Sequence, residues 1–472
     1  MQERGSPITT TGLAGPVVVG VGWMLLAFAP LIRGGNRRVA LILLEALALV
    51  LLLAIGAKML PSATRQRRIS VPVLLLALSP LWVAIVQLTP LPSAVWASLP
   101  GHDVYVQALT AVQMPVEGWR PLSLVPDATW LSVLAGLPLA AAFLLAQIMS
   151  ERQLAVLVRA VVLFTVPQAI LGLLQVSLAR QLYFDAVAYG RAIGSFANPN
   201  HLASYIVMTL PLTILVLRQA MQRGALHRDD RNVGVEGVGR SVYPAIWGAV
   251  LFLQLAALLA SLSRAGMGVG FFIALAATLM LPLQELSRRA LGWRVAGAVA
   301  LCVLVVASVG IEGLLARIGE SANEGSRWLM MGGTWQAALT FWPFGSGLGS
   351  YAGVFPRFQP PGLSGYADFA HSDFLQLLME CGLLFVVFAA IAVRLIAMRV
   401  QAVARRLRAD PSDRVGVLQA SCGLGLLAVI LHSWVDFNLH IPANAVLACF
   451  LMGVFLRPMA GDEARGRFAA AS

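Results

Sequence analysis

The feature that most constrains this chain is the recurrence of apolar runs of about 18 or more residues, the length a helix needs to cross roughly 30 Å of hydrocarbon. Such runs fall near 12–32, 39–57, 69–89, 129–149, 153–177, 200–217, 242–262, 265–284, 295–313, 374–396, 415–433 and 441–456. In lipid every backbone polar group needs an internal partner, so long uninterrupted runs predict helices and not the alternating strands of a barrel. Of 472 residues, 58% are hydrophobic and 12% charged, and the mean hydropathy is +0.79. No single soluble core hides that much apolar surface, so the lipid bilayer must be the solvent. The expected fold is an all-α integral membrane protein of about twelve transmembrane helices.

A net charge of +12 would point a soluble protein toward nucleic acid, but here the basic residues sit in short runs between apolar segments and read as topology. With both termini cytoplasmic, the inward segments 58–68, 150–152, 218–240, 285–294, 394–414 and the tail from 457 carry 22 Lys and Arg. The outward segments 33–38, 90–128, 178–199, 263–264, 314–373 and 434–440 carry 10. That excess sets the orientation. Arg33, Arg37 and Arg38 oppose it, which means either a misassigned first hairpin or side chains that snorkel to the interface. The first run has no small-residue cleavage site and is expected to stay as a span. Cys302, Cys381, Cys422 and Cys449 all fall in apolar segments without CxxC spacing, so neither a disulfide nor a metal cluster is expected.

Two outward segments are long. Segment 90–128 is rich in Pro and Trp and reads as an irregular loop with interfacial aromatic anchors. Segment 314–373 is the largest loop, between the ninth and tenth spans. Its stretch 326–342, SRWLMMGGTWQAALTFW, has apolar residues at helical spacing and is expected to lie along the membrane surface. The Gly- and Pro-dense stretch after it reads as turns. No repeat, coiled coil or appended soluble domain is expected.

Polar residues collect in RAIGSFANPNH (191–201), SLSRAGMG (261–268), GSRW (325–328), AHSDFLQ (370–376) and HSWVDFNLHIPAN (432–444). An arginine at a helix end is either an interfacial anchor or an anion ligand. Arg264, in a two-residue connection between spans, has little freedom at membrane depth and calls for a phosphate or carboxylate partner. Arg191 precedes Gly-Ser and Asn-Pro-Asn turns, in which Asn198, Asn200 and the backbone N–H groups also favour anions. Arg327 either binds an anion or is a solvated neighbour of a Ser326 helix cap. His371 is the candidate acid/base, because imidazole titrates nearest neutral pH. Asp373 is its near neighbour or, on the other reading, a helix-dipole partner, and Glu380 follows about two and a half turns on. His432 and His440 can group with Asp436, but their eight-residue spacing has no helical logic for one ion, so no metal is expected.

Taken in order, RAIGSFANPNHLASY, SLSRAG, SRWLMMGGTWQAAL with FGSGLGSY, AHSDFLQLLMECG and HSWVDFNLHIPANA resemble the bacterial O-antigen ligase and O-antigen polymerase superfamily over about residues 185–450. The resemblance implies a GT-C-like fold with three parts. These are N-terminal helices and first outer loop at 1–184, a ligase/polymerase-like core at 185–456 that includes the periplasmic loop 314–373, and a short cytoplasmic tail at 457–472. It further implies a multi-pass protein of the bacterial inner membrane whose site faces the periplasm. The implied activity is inverting glycosyl transfer without a metal or cofactor. The donor would be a glycan on undecaprenyl diphosphate, and the acceptor a glycan or lipid A-core. Carried onto this chain, the family's loop histidine falls on His371 and its outward arginines on Arg191, Arg264 and Arg327, with Asn198, Asn200, Asp373 and Asp436 in support.

Ligase, polymerase and protein O-oligosaccharyltransferase share these motifs. The rival from another class is a lipid-linked oligosaccharide flippase, which should carry polar residues around a central mid-membrane cavity and two-fold repetition between its halves. The sequence has its polar residues on outer loops instead.

Overall fold

A computed structural model describes residues 14–59, 69–179, 182–183, 190–226, 236–280, 321–363 and 365–458. The chain begins with a helical hairpin, α1 (Ala14–Phe28) and α2 (Arg38–Met59). The next apolar run is broken into α3 (Val71–Ala77) and α4 (Ser79–Gln87). The break at Leu78 precedes Pro80, which donates no hydrogen bond and whose ring crowds the preceding turn. The first outer segment holds α5 (Ser93–Ser98), α6 (Asp103–Ala111) and a ribbon of β1 (Pro90–Pro92) antiparallel to β2 (Trp119–Pro121), with Leu91 opposite Arg120. That segment is therefore more ordered than the irregular loop its Pro content predicts.

Five long helices follow: α7 (Pro126–Ile148), α8 (Glu151–Ser177), α9 (Pro199–Leu226), α10 (Glu236–Ala260) and α11 (Arg264–Met280). A two-residue link joins α7 to α8, where Ser150 and Gln153 cap one another reciprocally. The large loop contributes α12 (Ser321–Thr340) and the short α13 (Tyr351–Val354). After it come α14 (Asp373–Cys381), α15 (Leu383–Ala409), α16 (Arg414–His432) and α17 (Pro442–Phe455).

Among the described residues seven helices are long and apolar enough to cross a membrane: α2, α7, α8, α9, α10, α15 and α16. Three shorter ones, α1, α11 and α17, are also apolar. The run at 295–313 lies outside the described residues. The tenth run differs from the expectation of a span over 374–396. Gly382, at φ +56°, separates α14 from α15, so the spanning helix begins at Leu383 and continues through the basic stretch to Ala409. A Cβ at Gly382 would lie 2.2 Å from the Pro343 carbonyl oxygen, so this crossing of two backbones admits only glycine.

α9 is the hub. It packs against α8, α10, α11, α16 and α17, and is the most deeply buried of the seven long helices. Close approach is permitted by small residues: Gly266 against Ala203, Gly425 against the Met208 carbonyl, and Gly453 on α17 against Phe143 on α7. Within the bundle Gln254 donates to the Thr165 and Thr209 hydroxyls at 2.7 and 3.3 Å, a polar set that links α8, α9 and α10. α15, by contrast, lies at the periphery.

One end of the bundle collects the hairpin turn after α1, the first outer segment, the turn before α9, the α10–α11 link, the large loop and the α16–α17 turn. Gly34 and Gly35 of the hairpin turn sit against Phe196, Ile441 and Pro442, and the Ser195 hydroxyl donates to the Pro30 carbonyl. Arg33, Arg37 and Arg38 thus stand at this end, as the span alternation requires. The large loop has its own small core of Met330, Ala337, Ala338, Phe341, Tyr351, Val354, Phe355, Ala370 and Met379.

Candidate functional site

The turn before α9 is built from buried glutamines. Two turns apart on α8, Gln168 and Gln175 project from an apolar helix into the loop 191–195. Gln175 Oε1 accepts from the Ile193 and Gly194 N–H groups at 3.1 and 2.9 Å, while its Nε2 donates to the Gly194 carbonyl at 2.8 Å. Gln168 Oε1 accepts from the Ser195 N–H at 2.9 Å and lies 2.7 Å from its hydroxyl oxygen. Gly194, at φ +57°, comes so close to Gln168 that a Cβ there would lie 2.9 Å from Oε1. The two amides thereby engage the N–H groups of 193–195 and the Gly194 carbonyl, as irregular backbone at low dielectric requires.

The same loop positions Arg191 against the α10–α11 link. Its Nε donates to the Ser261 carbonyl at 2.9 Å and one terminal nitrogen to the Leu262 carbonyl at 3.3 Å. Ala192 N–H donates to the Ala260 carbonyl at 2.9 Å. Arg264 opens α11 directly beyond that link and is exposed. Two cations 73 positions apart in sequence therefore share one turn, with Arg191 oriented by carbonyls and Arg264 exposed.

The second half of the site is a pair of crossed Asp–His dyads. His371, in the turn before α14, has φ +52°, a left-handed conformation that costs a non-glycine residue about 1–2 kcal/mol. Its Nδ1 faces Asp436 Oδ1 at 3.5 Å, with the imidazole 23% exposed and the carboxylate 1%. Two residues on, Asp373 faces the other way and its Oδ1 meets His440 Nδ1 at 2.6 Å. Each dyad takes one member from the 371–373 turn and one from the 436–440 turn. The backbones are tied as well: Asp373 N–H donates to the Ser433 carbonyl at 3.0 Å, and Leu439 N–H to Asp373 Oδ2 at 2.9 Å. Ser372 caps α14 by accepting from the Leu375 N–H.

α9 contributes the third element. Asn200 Nδ2 donates to Asp436 Oδ2 at 2.5 Å, and Asn200 N–H is held by Asn198 Oδ1 at 2.8 Å. Phe437 lies at the centre, with the His201 and His371 rings edge-on to it at 4.7 and 4.9 Å and Phe369 stacked at 4.4 Å. Burial pushes the Asp436 carboxyl up, but the contact with His371 and the nearby imidazoles of His201 and His432 outweigh it, so the group sits below the usual carboxylate range. For His440 burial works downward, and the Asp373 carboxylate more than offsets it, leaving the imidazole above its ordinary value.

Glu380 locks the large loop to α14. Its carboxylate is fully buried and accepts from the Gly349 N–H at 3.0 Å, the Tyr351 N–H at 3.2 Å and Gln376 Nε2 at 3.2 Å. Burial raises its pKa. Gln87, at the end of α4, bridges the first outer segment to the same point, donating to the Glu380 carbonyl at 2.8 Å and accepting from the Leu348 N–H at 2.7 Å.

The structure thus brings His371, Asp373, Asp436, Asn198 and Asn200 into one cluster and Arg191 and Arg264 into one turn. Arg327, near the start of α12, lies within electrostatic range of His432, on the cluster side of the helix. Asp373 is both a helix N-terminal charge and the partner of His440, so the two readings of it coexist. Among the described residues, no three His, Cys, Asp or Glu side chains have a metal-binding geometry. His201 and the buried glutamines escaped sequence reasoning. The glutamines had a signal, since two amides seven residues apart on an apolar helix share one face and need internal partners.

Residues 249–407, about a third of the chain, match the family model described as O-antigen ligase. No curated protein matches the chain. The matched segment holds Arg264, Arg327, His371, Asp373 and Glu380, whereas Arg191, Asn198, Asn200 and Asp436 lie outside it.

Proposed function

We propose, from the match of residues 249–407 to the O-antigen ligase family model, that this multi-pass membrane protein transfers a glycan from undecaprenyl diphosphate to a glycan or lipid A-core acceptor at the periplasmic face of the inner membrane. The observation that carries the reading is that the His371–Asp436 pair and the turn shared by Arg191 and Arg264 lie at the same end of the bundle.

In this mechanism Asp436 faces His371 Nδ1 and favours the tautomer with its proton there, leaving the Nε2 lone pair as base. Nε2 takes the proton from an acceptor hydroxyl as that oxygen attacks the anomeric carbon. The bond from that carbon to the diphosphate oxygen breaks, inverting the configuration, and undecaprenyl diphosphate departs with the electron pair. Arg264, with Arg191 oriented behind it, stabilises the negative charge that accumulates on the leaving group. The 3.5 Å separation of His371 and Asp436 accords with a free enzyme, in which catalytic hydrogen bonds are often longer than in the substrate complex. The Gln254 set within the bundle is small, and its amide nitrogen bonds two hydroxyls across three helices, so it reads as interhelical glue and not as a transport path.

The test is glycan transfer in membranes supplied with a lipid-linked donor, comparing the wild type with His371→Ala and Arg264→Ala at equal expression. Undiminished transfer in both variants would overturn the mechanism. Surface polysaccharide from a deletion strain separates the acceptors: loss of long chains with a single repeat retained indicates a polymerase, and loss of every repeat a ligase.

A further inference from the structure

α12 has two apolar faces. Met330, Ala337, Ala338 and Phe341 point inward to the core of the large loop and are buried. On the opposite side Trp328, Trp335 and Leu339, spaced by seven and four residues, form one stripe with exposures of 65%, 48% and 58%. Trp342 and Phe344 extend it beyond the helix end, each 42% exposed. Between Trp328 and Leu339 the outward face carries only one polar side chain, Gln336. A helix covered by water on its outer side has charged and polar residues there, and a contiguous apolar patch of this kind marks a contact with something else.

The position of the other exposed tryptophans identifies that contact. Trp119, Trp130 and Trp434 are 70%, 58% and 57% exposed. Trp130 lies in the first turns of α7, Trp434 just after α16, and Trp119 in the ribbon beside them. Every tryptophan in the exposed class among the described residues thus stands at the end of the bundle that carries the site. Tryptophan is enriched where a bilayer meets water, its ring in the headgroup layer and its N–H toward water. The stripe on α12 continues a belt already set by helices that cross the membrane.

We infer that α12 is an interfacial helix, seated through Trp328, Trp335 and Leu339 in the headgroup and acyl boundary of the leaflet on the site side. The large loop is then fastened to lipid on one face and to α14 on the other, where Glu380 joins it to the helix that follows His371. This inference is independent of the transfer chemistry.

The test places a nitroxide label at Trp335→Cys, Leu339→Cys or Trp328→Cys in the full chain with Cys302, Cys381, Cys422 and Cys449 replaced by serine or alanine. The protein is reconstituted in vesicles of phosphatidylethanolamine and phosphatidylglycerol. Val393→Cys, on the exposed surface of α15, calibrates lipid, and Glu117→Cys, in the outer segment, calibrates water. Labels on α12 should collide with oxygen more than with a water-soluble nickel chelate, as at position 393. Greater collision with nickel, as at 117, overturns the inference. Low collision with both reagents means that protein covers the stripe, and overturns it equally. Should the cysteine-replaced chain not fold, the wild-type protein in vesicles of lipids brominated near the carbonyl depth serves instead. Trp328→Phe with Trp335→Phe should reduce the quenchable share of tryptophan emission, and an unchanged share refutes interfacial seating.

Discussion

Asp436 receives the Asn200 amide at 2.5 Å and faces His371 at 3.5 Å, so one buried carboxylate joins the start of α9 to the turn that closes the large loop. Its other oxygen, Oδ1, accepts from the Phe437 N–H at 2.9 Å and is the one that faces the imidazole. Asn200→Ala removes a hydrogen bond to a charged group and should destabilise the protein by about 1.5–3 kcal/mol. Asn198→Ala removes only an Asx turn and should cost less. Thermal unfolding in detergent ranks the two, and an equal or reversed order would contradict this account.

The dyad of His371 and Asp436 should behave as a unit. His371→Ala should lower the transfer rate by roughly 10²–10⁴-fold, the range of general base catalysis. Asp436→Asn should lower it by a smaller factor, and the double variant should be no slower than His371→Ala alone. Independent, multiplying losses would show that the two side chains act separately.

Arg191 and Arg264 should both be needed for transfer. Arg264→Ala should lower transfer by about 10²–10³-fold, as for loss of one donor to a developing oxyanion. Arg191→Ala also loses its bonds to the Ser261 and Leu262 carbonyls, so it should lower stability together with transfer. Transfer undiminished in Arg264→Ala at equal expression, or an unfolding temperature unchanged in Arg191→Ala, would count against these roles.

At Gly382 any side chain meets the Pro343 carbonyl, and its left-handed backbone adds strain. Gly382→Ala should therefore destabilise by about 1–3 kcal/mol or more and loosen the loop that Glu380 holds. Limited proteolysis should cut first within 343–363 in the variant. Cleavage identical to wild type would show that the crossing relaxes without cost.

The pair of His440 and Asp373 should be visible in the pH dependence of stability. Its folded-state pKa is raised, so the stabilisation is fully present below the ordinary imidazole pKa of about 6.5 and is lost as pH rises through the higher folded value. The difference in unfolding temperature between wild type and His440→Gln should be largest in mild acid and shrink on the alkaline side. A gap that widened with pH would reverse the sign and refute the ion pair.

The helices were legible because lipid imposes one demand along the whole chain: each crossing must be long, apolar and internally hydrogen-bonded. That the polar segments gather at one end of the bundle was legible too, since it follows from counting alternate helices. The tenth span was misplaced by nine residues at its start, 374 against Leu383. Met379, Glu380 and Cys381 sit in a helical pattern, and only the approach of Pro343 shows that Gly382 ends it. The first outer segment was underread for a similar reason, as its ribbon depends on Leu91 finding Arg120 across two intervening helices.

For the candidate site, sequence pointed to residue types, His371, Asp373, Asp436 and the arginines, because each bears a charge or a titrating ring where lipid or a small turn makes it costly. It left open which aspartate serves which histidine. Asp373 is two positions from His371, yet it pairs with His440, while His371 faces Asp436, 65 positions away. That exchange was decided by tertiary structure alone. In the left-handed turn at His371 and the N-terminal turn of α14, residues two apart point in different directions, so proximity in sequence does not become contact. The packing of α16 and α17 against α9, and of the 438–440 turn between them against α14, then supplies the partners.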